Sequence, residues 1–525
     1  MSSGKSSAES WVPAHNPWLI AMSVMLATFM EVLDTSVANV SLPHIAGNLS
    51  ATTDESTWVL TSYLVANAIV LPATNWLSSL FGRKQFLVIC ITLFTLASAL
   101  CGAAPTLGFL VFARILQGAA GGALQPISQA VLMESFPPEK RGRATAVFAM
   151  GVVVAPVIGP TLGGWITDNF SWRWIFYINL PVGALAIMMA QSFIENPPYL
   201  VRTTLKSFDG VGFGLMSIWL GTMQYILDKG QIEDWFESRT IATLTAISVV
   251  SLIGFIYWEL TTPMPIVDLR VLLNRNFAVG VGLITLLGAV LYATTAVMPL
   301  LMQTLLGYTA FQAGLALSPR GVAAFLTTIV VGRVVGKINS RILITFGFLL
   351  LALSSVMLGH VDLEIAQRNI IWPSIVNGIA ISFIFVPLTS STMGTLQRAQ
   401  IGNASGIYNL LRNLGGSIGI AGVTTLLARK GQVNQATMVS HFTPTDPAYN
   451  HRLEMFKGAF FHAHGDPVLA TQQAHGVLGG ILEQQASALA YVQNFRLFAV
   501  ICVSCIPLIM LLKTVAPPKG PVAAH

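Results

Sequence analysis

The sequence predicts an all-α integral membrane protein of 14 transmembrane helices, built as two six-helix bundles with an inserted two-helix hairpin. Three observations lead there. First, the 525 residues are 54% hydrophobic and only 10% charged, with a mean hydropathy of +0.69. A soluble domain carries about a quarter charged residues, so this chain has too little polar material to cover a globular surface of its size. Second, the charges fall in short clusters between apolar runs of about 20 residues, the helix length that crosses the hydrocarbon. Third, FGRKQF at 81–86, after the second run, is echoed by VGRVVGKINSRI at 331–342, after the tenth. Two homologous halves are the economical reading of that echo.

Apolar runs bounded by Pro, Gly, Asn and charge clusters mark the elements in order. The first, 18–42, follows a polar stretch and is too long for the apolar region of a signal peptide; it lacks a small-residue cleavage site leading into a soluble domain, so it is expected to stay attached. Spans at 57–81, 86–104, 107–133, 144–167 and 174–194 complete a first bundle over 18–194. Spans at 210–228 and 239–258 stand outside the repeat and form the inserted hairpin, 210–258. The second bundle, 277–513, holds spans at 277–303, 312–336, 341–359, 370–392, 403–428 and 494–513. Within it the polar segment 429–493, rich in Gln, Ala and His, is expected on the periplasmic side and is long enough for a small helical hairpin. Among short loops Lys and Arg concentrate on the side of both termini, which makes 1–17 and 514–525 cytoplasmic by the positive-inside rule.

The net charge of +6 therefore reports cytoplasmic loops rather than nucleic-acid binding. Cys90, Cys101, Cys502 and Cys505 lie in or beside apolar runs and read as small buried hydrophobes. No GxxxxGK[ST] or HExxH occurs, so neither ATP bound by this chain nor zinc-peptidase chemistry is indicated. No cofactor or metal is expected; the expected energy source is a proton gradient.

Residues 149–164, AMGVVVAPVIGPTLGG, place Gly151, Ala155, Gly159 and Gly163 at every fourth position of one helix, a ribbon for close helix contact. Pro156 and Pro160 interrupt the same helix, which a bilayer tolerates only where neighbours or local backbone adjustments re-satisfy the freed carbonyls. The segment reads as a hinge or seam.

Glu31 and Asp34 lie three residues apart in the first span, so both carboxylates project from one face. An ionisable group at that depth costs at least ~2.5 kcal/mol and is a functional candidate by default. Asp34 precedes Pro43 near one end of its helix, and Arg114 follows the same end of the fourth span; at 1.5 Å per residue both sit roughly 10–14 Å deep, which makes Arg114 the expected partner. Arg stays charged, so its proximity favours ionised Asp34 while burial favours the neutral acid, and a carboxyl held between those pulls can load and release a proton. Glu31, a turn deeper, is either a second proton site or the group that meets a cationic substrate. Arg412 in the thirteenth span is the other deep cation, open to an anionic substrate, a carboxylate or backbone carbonyls; Arg320 reads as a snorkelling residue. Tyr292, Met298, Met302 and Tyr408, with Met22 and Met25, are candidates to line an adaptable apolar cavity.

These stretches resemble the fourteen-span drug:proton antiporters of the major facilitator superfamily, and among them the EmrB type. LDTSVANVSLP at 33–43 is similar to the first-span motif and carries over Asp34, Thr35, Asn39 and Pro43. FARILQGAAGGAL at 112–124 resembles the RxxQG motif, carrying over Arg114, Gln117 and Gly118. GxxxGPxxGG of the fifth span is matched by Gly159, Pro160, Gly163 and Gly164, with Ala155 in place of the first Gly. WRWIFYINLPVG, LDKGQIEDW and PIVDLRVLLNRNF look like further shared stretches. The resemblance implies the major facilitator fold, proton coupling through Asp34 and Arg114, and a seam between halves at the fifth span. One departure stands out: NWLSSLFGRK keeps Gly82, Arg83 and Lys84 but has Asn75 for a Gly and Ser79 for the acidic residue of a cytoplasmic latch, which puts that latch in doubt.

The expected activity is thus proton-driven export of amphipathic or hydrophobic toxic compounds from the cytoplasm or inner membrane by alternating access. The expected setting is a bacterial inner membrane, with lipid around the chain, a periplasmic adaptor (membrane fusion protein) and an outer-membrane channel as partners. Export of fatty acids or a secreted metabolite is an alternative. A nutrient symporter, and a membrane enzyme using His441, His451, His462, His464 and His475 as a metal site, rank below it.

Overall fold

A computed structural model of the chain describes residues 13–137, 140–197, 204, 208–397, 400–440, 442–443 and 445–513. Most of the N-terminal segment 1–17 and all of the tail 514–525, both expected in the cytoplasm, lie outside these residues, as do His441 and the side chains of Pro43 and His464. Among the described residues the regular structure is helical: α1 (Pro17–Asn48), α2 (Trp58–Phe81), α3 (Arg83–Gly102), α4 (Leu107–Gly121), α5 (Leu124–Ser135), α6 (Arg141–Asn169) and α7 (Asn179–Phe193). The inserted pair is α8 (Gly210–Lys229) and α9 (Arg239–Thr261). Then come α10 (Arg275–Thr304), α11 (Ala310–Val334), α12 (Ser340–Leu358), α13 (Arg368–Met393), α14 (Ile401–Val439), α15 (Pro447–His464) and α16 (Pro467–Ile509). Joining α4 to α5 and counting the bent α6 as one span, 14 helices among the described residues are long and apolar enough to cross a membrane.

Local chemistry sets the helix starts. Asn16 caps α1 by accepting from the Trp18 amide with Pro17 in the first turn, and Thr309 and Gln312 form a reciprocal capping box at α11. Gly82 joins α2 to α3 at φ +92°, a backbone region that disfavours any side chain.

The repeat in the loops is matched by a repeat of packing. In the first half α1 packs on α6, α2 on α4 and α3 on α7; in the second α10 packs on α14, α11 on α13 and α12 on α16. The halves meet along α6 with α11, and along α2 and α5 with α14. Leu93, Leu96, Phe112, Val250, Val322 and Trp372 are exposed large apolar residues on outer helix faces, as a lipid-covered belt requires.

The inserted hairpin touches more than a hairpin between bundles needs to. On α8, Asp228 accepts from Thr61 at 2.5 Å, Lys229 donates to Thr57 at 2.7 Å and Gln224 accepts from Ser417 at 2.9 Å, so the hairpin bridges α2 and α14.

Two boundaries differ from the sequence reading. Span 13 runs on to Val439 rather than 428, and the last helix begins at Pro467 rather than 494. At 1.5 Å per residue the 39-residue α14 is about 58 Å long, roughly twice the hydrocarbon thickness. The change to polar residues marks where the helices leave the apolar layer and not where they stop. Beyond it α15 folds back on α16 through Leu453, Ala474 and Leu478, with Tyr449, Phe456 and Phe460 packed against them.

Candidate functional site

The RxxQG spacing puts Arg114 and Gln117 on one face of α4, and Gly118 lets that face reach α2, since a Cβ there would press on the Tyr63 carbonyl oxygen. Both side chains thereby reach Asp34. Arg114 Nη1 donates to Asp34 Oδ2 at 2.6 Å, while Gln117 Nε2 and Asn179 Nδ2 donate to Oδ1 at 2.8 and 2.7 Å. The guanidinium also donates through Nε to the Val59 carbonyl at 3.0 Å and lies 4.2 Å from the Tyr63 ring centroid. Three donors surround one buried carboxylate. Asn179, from the INLP stretch at the start of α7, was not singled out by sequence; a polar residue opening an apolar run was the signal.

Glu31, one turn earlier, is held by a different set. Gln125 Nε2 donates to Oε2 at 2.5 Å, and Asn67 Nδ2 and the Tyr63 hydroxyl donate to Oε1 at 3.3 and 3.4 Å. Gln125 Oε1 in turn accepts from Arg412 Nη2 of the second bundle. The sequence left an anionic substrate, a carboxylate or backbone carbonyls open for Arg412; the structure gives it a side-chain amide instead, with Asn413 Oδ1 adding a contact at 3.2 Å.

Both carboxylate clusters border a cavity that, with its mouth, holds about 1220 Å³. α1 contributes Glu31, Thr35 and Asn39; α2 contributes Tyr63 and Asn67; α8 contributes Leu220 and Gln224; α10 contributes Tyr292 and Thr295; α14 contributes Asn413 and Ser417. On α2, α8 and α10 these positions lie in the helix half remote from the termini, while Glu31 on α1 and Asn413 and Ser417 on α14 lie closer to mid-helix. The inserted hairpin is therefore a cavity wall.

Several residues that the sequence offered as cavity lining sit elsewhere. Met298, Met302 and Tyr408 are buried in the second bundle's core, Tyr408 sharing a hydrogen bond with Thr389 at 2.9 Å. Of that set, Tyr292 lines the cavity, and Met22 is exposed. Arg320 does not snorkel: it is buried, with Nη1 donating to Thr295 of the cavity wall at 3.3 Å.

The small-residue ribbon of α6 faces its own bundle. Gly151 approaches Met25, Gly159 approaches Ser36 and Gly163 approaches Val37, all on α1, and Ala155 is buried in the same cluster as Val37. The Pro156 carbonyl accepts from Ser36 Oγ at 3.1 Å, while Pro156 itself borders the cavity. A different face of α6 forms the seam with the second bundle, where Gly314 lies against Thr161 and Gly332 against Ala146.

The FGRK loop keeps a latch without its usual acid. Arg83 Nη2 donates to Glu134 Oε1 at 2.9 Å and Nη1 to Ser78 Oγ at 2.8 Å, both charges buried. Gly402 at the start of α14 leaves room for Asn75 and Arg83 to pack against it, closing the face that carries the termini. The Lys84 amide donates to Asn196 Oδ1 at 3.0 Å, tying α3 to the chain after α7. Among the described residues no three His, Cys, Asp or Glu side chains converge as metal ligands.

The profile described as Major Facilitator Superfamily matches residues 24–420, which include both carboxylate clusters. The chain is 38% identical over 495 residues, 94% of its length and 96% of the relative's, to the fatty acid resistance protein FarB of Neisseria gonorrhoeae. It is 37% identical over 432 residues, 82% of its length and 84% of the relative's, to the multidrug export protein EmrB of Escherichia coli K12. In structure it resembles the human organic anion transporter MFSD10 with a TM-score of 0.60 at 12% identity, covering 94% of this chain and 99% of that one, a likeness of fold.

Proposed function

This chain belongs to the Major Facilitator Superfamily, and from that membership we propose that it carries out proton-driven efflux of amphipathic or hydrophobic toxic compounds by alternating access. It is a multi-pass membrane transporter, and the coupling chemistry centres on Asp34. The observation that carries the reading is the set of three donors, Arg114, Gln117 and Asn179, around one buried carboxylate beside the cavity. A proton on Asp34 removes its charge and places an O–H among groups that all donate to it, so the cluster has to rearrange. Loading Asp34 from outside favours substrate release; discharge to the inside resets the carrier. Glu31 serves as a second proton site.

With both termini cytoplasmic, the Arg83–Glu134 latch closes the cytoplasmic face and the cavity belongs to the outer half. The α14–α15–α16 projection then stands in the periplasm of an inner-membrane protein, where it docks an adaptor that leads to an outer-membrane channel. Deleting residues 440–485 is expected to abolish copurification with an adaptor; intact copurification would remove this role. A second reading, export of amphipathic anions such as fatty acids, is favoured by Arg320 and Arg412, deep cations that form no ion pair with a carboxylate among the described residues. Transport of ethidium, an uncoupler and a fatty acid into energised inverted vesicles under an imposed pH gradient tests both readings. Asp34→Asn should lose gradient-driven transport with binding retained. Transport unaffected in both Asp34→Asn and Glu31→Gln would make the carboxylates structural.

A further inference from the structure

Gln125 is buried on α5 and touches both bundles at once. Its Nε2 donates to Glu31 Oε2 at 2.5 Å and its Oε1 accepts from Arg412 Nη2. Chemistry decides which end of the amide faces which neighbour. A guanidinium only donates, so the amide oxygen must face Arg412, the NH2 is left for Glu31, and Glu31 Oε2 must accept. The groups facing Glu31 are Tyr63 and Asn67 from α2, Gln125 from α5 and, through it, Arg412 from α14; Asp34 lies on its own helix, engaged by Arg114. The α6 positions against α1 in this region, Gly151, Ala155 and Gly159, carry no charge. One turn along, Gln129 Oε1 accepts from Asn409 Nδ2 at 2.7 Å, so the α5–α14 seam has two rungs, one tied to a carboxylate and one not.

We propose that Gln125 is a positioning residue that reports the proton on Glu31 to the contact between the bundles. The inference rests on the reading of Glu31 as a proton site. A proton on either oxygen strips charge assistance from the Gln125–Glu31 bond, which about halves it. On Oε2 it also turns an acceptor into a donor. The amide then has to present its oxygen to the new O–H, which aims its NH2 at the Arg412 guanidinium, donor against donor, and the first rung opens. The proton stays on Glu31 throughout; only hydrogen-bond partners change. Arg412, with Nε and Nη1 unpartnered among the described residues, retains Asn413 and frees α14 to move against α5.

The test uses the full chain in lipid nanodiscs, spin-labelled through Phe81→Cys on the first bundle and Ile342→Cys on the second, both exposed. The inter-label distance is followed from about pH 8 to about pH 5. The unsubstituted background should shift its distance distribution with pH, and Glu31→Gln should abolish the shift. Gln125→Met should abolish it too and lower gradient-driven efflux about tenfold. Gln129→Met, which removes the rung not tied to a carboxylate, should keep the shift. A normal shift in Gln125→Met with none in Glu31→Gln overturns the transducer and leaves the proton site standing; a normal shift in Glu31→Gln removes both. Should Gln125→Met not fold, Gln125→Glu preserves size and the acceptor for Arg412 but sets a second carboxylate against Glu31. It should move the midpoint to higher pH, and an unmoved midpoint overturns the proposal.

Discussion

Asp34 and Arg114 meet at 2.6 Å with side chains 1% and 0% exposed, 80 residues apart in sequence and on different helices. Removing one partner of a buried pair leaves the other charge uncompensated, which costs about 3–5 kcal/mol, more than the pair itself contributes. Arg114 is also held by Val59 and stacked on Tyr63, so it cannot follow a change at Asp34 by swinging away.

Asp34→Asn, which keeps an oxygen for one of the donors, should fold and lose gradient-driven efflux by about 100-fold or more. Arg114→Met should lower the melting temperature further than Asp34→Asn, and the double variant should regain part of that loss while regaining no transport. Thermal unfolding and vesicle efflux on the four proteins check this; transport by the double variant would contradict it.

Arg83→Gln should weaken the latch by up to about 3 kcal/mol by removing the Arg83–Glu134 ion pair. Hydrogen–deuterium exchange should then rise in α14 around Gly402, where Arg83 packs. Unchanged protection there would mean that the face is closed by other contacts.

Gly118→Ala presses on the Tyr63 carbonyl and Gly415→Ala on the Thr285 carbonyl, neither of which can yield as a flexible side-chain tip could. Each should cost about 1–3 kcal/mol through overpacking. Gly422→Ala on α14, with nothing within 4 Å of its added Cβ, should be neutral or slightly stabilising. Melting temperatures of the three rank them, and equal values would refute the packing argument.

Gln224→Ala removes the acceptor for Ser417 and opens the wall supplied by the inserted hairpin. Stability should change by about 1 kcal/mol, the net worth of one hydrogen bond. The ranking of substrates in an efflux panel should change, because the altered surface faces the cavity; a uniform change across the panel would place Gln224 outside the substrate path.

Much of the architecture is legible along the chain. The span count comes from hydropathy, because the hydrocarbon thickness sets a helix length. The Asp34–Arg114 pair follows from depth, since two groups equally far down neighbouring helices share a level. Rotation about the helix axes is harder to read. Met298, Met302 and Tyr408 have the chemistry of a cavity lining yet point into the core, and Arg320, near the middle of α11, turns inward to Thr295. The ribbon of α6 announces a close contact without saying which helix it meets, and that helix is α1.

The sequence by itself determined a membrane-spanning, two-part helical chain with costly deep charges and a glycine code for close packing, because each of these is a property of one helix in its solvent. Tertiary structure alone decided that Asn179 is the third donor to Asp34, that Gln125 joins Glu31 to Arg412, and that an inserted helix walls the cavity. Those relations depend on how helices from distant parts of the chain are rotated and staggered against one another. Hydropathy and spacing within a single helix carry no record of that.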